Sequence, residues 1–168
     1  MEEHLIQSPA PTAKNEQVLA VDQYELRSID SVWNSSLYRL LPIDVWNTLR
    51  NKIISEGGRK CQICGEIDGV MNLHETWKYD DKKHVQKLVE FILLCKMCHH
   101  VKHIGLSGIL ADEGKLDYGK MIEHFCRVNN CSEKEFEKHV DKAFEISRKR
   151  SRHQWKQDFG NYEEFIKK

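Results

Sequence analysis

Leu94-Cys95-Lys96-Met97-Cys98-His99-His100-Val101-Lys102-His103 is the stretch on which the fold turns. Cys61-Gln62-Ile63-Cys64 stands upstream, with 30 residues between Cys64 and Cys95. A two-residue gap between cysteines lets a tight turn aim both sulfurs at one Zn2+ about 2.3 Å away, and two such pairs close a tetrahedral thiolate site. Cys61, Cys64, Cys95 and Cys98 are therefore the expected ligands of a structural zinc. Four unligated core thiols would make the repeated spacing an accident. His99 and His103 lie four apart, so a helix starting near Cys98 would project both imidazoles from one face. His100 would face elsewhere.

Working outward, Val70 to Tyr79 alternates with a period of two. Met71, Leu73, Glu75, Trp77 and Tyr79 face one way, and Asn72, His74, Thr76 and Lys78 the other. A polar turn, Asp80-Asp81-Lys82-Lys83, leads to the β-rich run Val85 to Leu94, so the 30-residue spacer reads as a hairpin whose ends return to one place. A short helix is expected from Met97 to about Ile104, broken at Gly105 and Gly108. Upstream, Pro42 suits a helix start, and Val45, Trp46, Leu49, Ile53 and Ile54 recur at helical spacing up to Gly57-Gly58.

Downstream, Leu116, Tyr118, Met121, Ile122, Phe125 and Val128 form a helical stripe before Asn129-Asn130. Ser132 with Glu135 is a capping-box signature for a second helix carrying Phe136, Val140, Ala143, Phe144 and Ile146. Cys126 and Cys131 have no CxxC partner and read as ordinary thiols. The organisation expected is a leader over 1–23, a packing segment and helix over 24–57, the zinc-stapled core over 58–105, and a helical extension over 106–168. The class is α+β.

The 168 residues are 40% hydrophobic, enough for one modest domain, and 31% charged. No apolar run approaches the roughly 20 residues of a membrane span. The first twenty residues show no basic-then-apolar secretory pattern, so a cytoplasmic location is expected, where cysteines serve better as ligands than as disulfides. Lysine plus arginine and aspartate plus glutamate each number 26. A nucleic-acid partner would thus need a local patch, and the densest is Arg148-Lys149-Arg150-Ser151-Arg152-His153-Gln154-Trp155-Lys156. Its cations could neutralise phosphates while Trp155 packs on a sugar or base. The plainer alternative is a solvated helix end suited to the helix dipole.

A histidine on the first strand of a hairpin, with one or two on the helix after the second strand, is what a one-metal nuclease needs. The strand histidine takes a proton from water, and the helix histidines hold a divalent ion on the phosphate.

The order Cys61-x-x-Cys64, Leu73-His74-Glu75, Leu94-Cys95-x-x-Cys98-His99-x-x-x-His103 resembles the zinc-stapled HNH endonucleases over about Gly58 to Gly105. The helix from Pro42 to Ser55, with Trp46 and Arg50, resembles the segment that precedes the knuckle in that family. The resemblance implies a ββα-metal finger, nuclease activity on nucleic acid (DNA being the expected form), a structural Zn2+ and a catalytic Mg2+, Mn2+ or Ni2+. It implies His74 as general base and His99 and His103 as metal ligands. Leu73 stands where many members have Asp or His as a further ligand. Glu75 would replace that ligand only if a bulge rotates it, and Asp80 or Asp81 are other carboxylates within reach. Glu90 falls where the family's middle Asn commonly sits, and could orient His74. Arg148, Lys149, Arg150, Arg152 and Lys156 are the backbone-contacting candidates. The alternative is a catalytically silent zinc module that binds nucleic acid or a protein. A CxxC redox protein is disfavoured because no thioredoxin-like βαβ pattern surrounds either pair.

Overall fold

Strand-forming residues on both sides of a polar turn build the central hairpin: β1 (Met71–Asp80) pairs antiparallel with β2 (Val85–Cys95). Asp80 shapes the turn, its carboxylate accepting from the backbone N–H groups of Lys82 and Lys83 at 3.1 and 2.9 Å. The computed structural model describes residues 37–67 and 69–166. The leader over 1–23 and most of the expected packing segment before Leu37 lie outside the described residues.

The register runs from Met71↔Cys95 to Thr76↔Glu90 and then moves to Trp77↔Leu88. Val89 is left as the extra residue of a bulge on β2, its side chain 60% exposed. The bulge falls beyond Glu75 and on the other strand, so Glu75 stays paired with Phe91 and keeps the face that alternation assigned to it.

Around the hairpin stand a one-turn helix, α1 (Leu37–Leu40), and α2 (Ile43–Gly57). Pro42 sits at the N-cap of α2, as expected of a residue that lacks an N–H and whose φ is preset. Trp46 of α2 packs edge-on against Phe91, ring centroids 5.9 Å apart, in a cluster with Leu37, Leu41, Leu73 and Leu88. Arg50 donates to the Met71 carbonyl at 3.2 Å and ties α2 to the start of β1.

After β2 come α3 (Lys96–Lys102) and α4 (Ile104–Asp112), then α5 (Tyr118–Asn129) and α6 (Glu133–Arg150). The expected break at Gly105 and Gly108 does not occur. The interruption is at His103, with φ −101° and ψ 51°, and α4 then runs through both glycines. Each glycine costs about 1 kcal/mol relative to alanine, which burial of Ile104 and Ser107 outweighs. The α5 and α6 helices follow the sequence closely. Asp117 caps α5 through the N–H of Lys120, and Ser132 and Glu135 form the full capping box on α6. Their apolar stripes, with Met121, Phe125, Phe136 and Ala143, join Leu93, Leu94 and Val101 in a second cluster around the cysteines.

One element has no counterpart in the sequence reading. β3 (Lys156–Asp158) lies parallel to β2, making a three-stranded sheet in the order β1-β2-β3, and a 3-10 turn (Gly160–Phe165) follows. The molecule is thus mixed α+β. No helix among the described residues is long and apolar enough to cross a membrane.

Candidate metal centres

The first knuckle is a turn held by its own backbone. The N–H of Gly65 donates to the Cys61 carbonyl at 2.9 Å, with Gly65 at φ 79°, a conformation that favours glycine. Gln62 then docks on β2: its N–H donates to the Leu93 carbonyl at 2.9 Å, and its side-chain carbonyl accepts from the Leu93 N–H at 2.6 Å. This places Cys61 and Cys64 beside the end of β2, where Cys95 ends the strand and caps α3. The Cys95 sulfur accepts from the N–H of Cys98 at 3.4 Å.

The sulfurs of Cys61, Cys64, Cys95 and Cys98 all lie within 4.8 Å of one another, and Cys64 and Cys95 are 3.6 Å apart. Cys61, Cys95 and Cys98 are buried. Their acidities are linked. Hydrogen bonds from Cys95 and Cys98 hold the Cys61 thiol far below its ordinary value, with lesser help from the N–H of Cys64. The same partnership with Cys61 pushes Cys95 up to about 12 and Cys98 higher still. A divalent cation is the partner that favours loss of the thiol protons from such a group. The donor set, spacing and burial fit a metal such as zinc.

A second group lies one helical turn away. His74, on the β1 face opposite Leu73, is 5% exposed. Its ring stands edge-on to those of His99 and His103, with centroids 5.5 and 4.9 Å away. His99 lies within α3 and His103 is the C-cap residue that joins α3 to α4. Their Nε2 atoms are 2.8 Å apart. One ligand nitrogen from each of the three residues falls within 4.8 Å of the others. Two imidazole nitrogens at about 2.0–2.1 Å from a common ion and at right angles would be about 3 Å apart, so this spacing, which also suits a hydrogen bond between the rings, is compatible with a shared ion. Hairpin and helix meet here because β2 passes into α3 without a loop, the cysteines fixing the angle at which α3 returns over β1.

The other candidates divide. Glu75 faces away from the histidines, and its carboxylate accepts from the Leu37 N–H at 2.7 Å. Burial raises its pKa. It is therefore a tie to α1, on the other face of β1 from His74. Leu73 is buried in the Trp46 cluster and offers no ligand. Asp80 shapes the turn, and Asp81 is engaged by Arg150. Glu90 is exposed and pairs with Thr76, two pairs along from His74↔Ile92 and on the same face.

The basic cluster is split as well. Arg148, Lys149, Arg152 and Lys156 are exposed, although Lys149 also pairs with Glu145 at 2.6 Å. Arg150 is drawn inward, its guanidinium 4.4 Å above the Tyr79 ring and paired with Asp81. Trp155, which by sequence could pack on a sugar or base, is 5% exposed and donates its indole N–H to the Arg150 carbonyl at 2.9 Å. Its large apolar area is covered by Tyr79 of β1 and by His84, both edge-on to the indole. Cys126 and Cys131 are half-buried thiols, as expected.

The sequence reading missed His124. It is buried on α5, with Nε2 3.1 Å from the Cys98 sulfur and Nδ1 2.9 Å from an Arg127 nitrogen. Nothing in its local sequence marks it, because the contact exists only once α5 docks on α3. Comparisons with protein-family models, curated proteins and solved structures found no match.

Proposed function

We propose that this protein is a metal-dependent endonuclease of the zinc-stapled ββα-metal type, hydrolysing phosphodiester bonds in nucleic acid, with DNA the expected substrate. The observation that carries the reading is the convergence of His74, His99 and His103, from a strand, a helix and the end of that helix, on one small space. The adjacent four-cysteine group supports it by supplying the structural zinc that such a frame uses.

In this reading His74 is a third ligand, where the family resemblance implies a general base. A ring nitrogen aimed at an ion has no lone pair left to take a proton from water. Three imidazoles and no carboxylate make a borderline nitrogen donor set, which suits Zn2+, Ni2+ or Co2+ better than Mg2+. Such an ion, when bound, supplies Lewis-acid stabilisation of charge on the phosphate and the leaving oxygen. The chain itself contributes the fixed angle between β1 and α3, burial around His74, and exposed cations at Arg148, Lys149, Arg152 and Lys156 that suit a polyanion.

The test is cleavage of supercoiled plasmid and of RNA with Zn2+, Ni2+, Co2+, Mn2+ and Mg2+ supplied separately, beside His74→Ala and His99→Ala, with bound metal counted in each protein. Cleavage with a transition ion, lost in both variants together with the second ion, is the expected result. Loss of activity in His74→Ala with that ion retained would return His74 to the role of base. No cleavage under any condition would sink the nuclease reading.

A specific observation favours one rival, a silent zinc module that binds nucleic acid or a protein. Leu73 is packed in the core and the Glu75 carboxylate is engaged by the Leu37 N–H, so neither supplies the histidine group with a ligand. Such a module would bind one zinc per chain and no second ion.

A further inference from the structure

We infer that His124 and Arg127 on α5 form an outer layer of the four-cysteine centre. Arg127 fixes the His124 imidazole so that it donates an N–H to the Cys98 sulfur, and this donor governs how tightly the ion is held. The inference rests on reading the four cysteines as a zinc site.

The tautomer follows from the partners. A guanidinium offers only donors, so the Nδ1 atom that Arg127 approaches at 2.9 Å must accept. A neutral imidazole that accepts at Nδ1 carries its hydrogen on Nε2, and that atom lies 3.1 Å from the Cys98 sulfur. The direction is thus Arg127 to His124 to Cys98. His124 does not join the group of mutually close ligand atoms, which comprises the cysteines alone. It is an outer partner and not a fifth ligand.

The centre needs such a donor. Four thiolates around one divalent ion leave an excess of negative charge, which N–H groups pointed at sulfur offset. Backbone amides serve two of the sulfurs: the N–H of Cys64 donates to Cys61, and that of Cys98 to Cys95. For Cys98 the donor is a side chain from a helix outside the knuckles. Cys98 is 0% exposed and His124 7%, so water is poorly placed to replace the bond if it is lost. The chain after α4 therefore reaches into the metal centre, and the docking of α5 and the hold on zinc are two sides of one contact.

The experiment measures zinc release to a chelator, and the thiolate-to-cobalt charge-transfer band after Co2+ replacement, in the full-length parent, His124→Phe, His124→Gln and Arg127→Ala. Phe keeps a ring but has no donor. Gln keeps an N–H near the position of Nε2. Arg127 is exposed, so its removal leaves the packing of α5 in place if His124→Phe fails to fold.

Zinc release should quicken about 10- to 100-fold in His124→Phe, less in Arg127→Ala, and recover in His124→Gln. The cobalt band should move to lower energy in the variants that release faster, a change that lost packing alone would not produce. A parent with one zinc per chain, and variants with unchanged release and an unchanged band, would overturn this inference alone. Nitrogen coordination to cobalt in the parent that disappears in His124→Phe would overturn it too, by making His124 a ligand. A parent that binds no zinc would overturn the metal reading and this inference with it.

Discussion

Arg150 and Asp81, 69 residues apart in the chain, are joined by a two-pronged hydrogen bond, Nε to Oδ1 at 2.6 Å and Nη2 to Oδ2 at 2.9 Å. The guanidinium also covers the Tyr79 ring. The end of α6 is thereby fastened to the hairpin turn, next to the place where the N–H of Lys156 donates to the His84 carbonyl and β3 begins. A cation that reads as a phosphate contact in sequence is a clamp in the structure.

The clamp makes stability depend on pH. The Arg150 hydrogen bond holds the Asp81 carboxyl below its ordinary value. A depressed folded-state pKa contributes stability that is present above the unfolded value and lost as pH falls through the folded value. The Asp81 side chain is 60% exposed, so solvent screening keeps the effect below about 1 kcal/mol. Asp81→Asn should be slightly less stable than the parent to urea at pH 7, and the gap should close in acid.

Glu75 should behave in the opposite sense. Burial raises its pKa, so its contribution is present at low pH and falls away as pH rises through the folded value. Glu75→Gln keeps an acceptor for the Leu37 N–H without the charge. Its melting temperature should match the parent near pH 4 and exceed it near pH 8. Its second metal should be retained, since the carboxylate faces away from the histidines. Loss of that ion in Glu75→Gln would refute the placement.

The two metal groups should separate under mild chelation. The three-histidine group, with two half-exposed members, should release its ion first and leave the fold intact. His103→Ala should weaken that ion by more than the roughly 10- to 100-fold typical of losing an outer partner, with zinc content unchanged. Cys98→Ser should lower the melting temperature of the whole domain, because knuckle, β2 and α3 share that centre. Metal analysis beside calorimetry distinguishes these outcomes.

Nucleic-acid binding should show which cations of the basic cluster face the ligand. Neutralising Arg148, Arg152 or Lys156 should lower affinity at all sequences and reduce the slope of log K against log salt by about one each. Arg150→Ala should act mainly through stability. Binding that is indifferent to the first three replacements would remove this surface from the proposal.

Much of the frame was legible before folding was considered. Alternation bounded β1 and β2 to within a residue, Pro42 marked α2, and Ser132 with Glu135 marked α6, since each signal involves neighbours in the chain. The exceptions are informative. Gly105 and Gly108 predict a break, yet α4 passes through them because burial of its face outweighs propensity. Trp155 reads as an aromatic that could pack on a sugar or base, yet it is buried against Tyr79 and His84. For Glu75, alternation already gave the correct face, and the bulge at Val89 did not disturb it.

The sequence by itself determined the four-cysteine group, because CxxC geometry is local and a 30-residue spacer rich in strand formers returns as a hairpin. It also determined that His99 and His103 share a side, from helical pitch alone. The tertiary structure decided the rest: that His74 sits among these histidines as a third ligand candidate, that Arg150 clamps the turn, and that His124 reaches Cys98. These contacts join residues 25 to 69 positions apart, brought together by the burial of apolar faces on unrelated elements. No spacing rule covers such distances, and only the packed helices and sheet give them a direction.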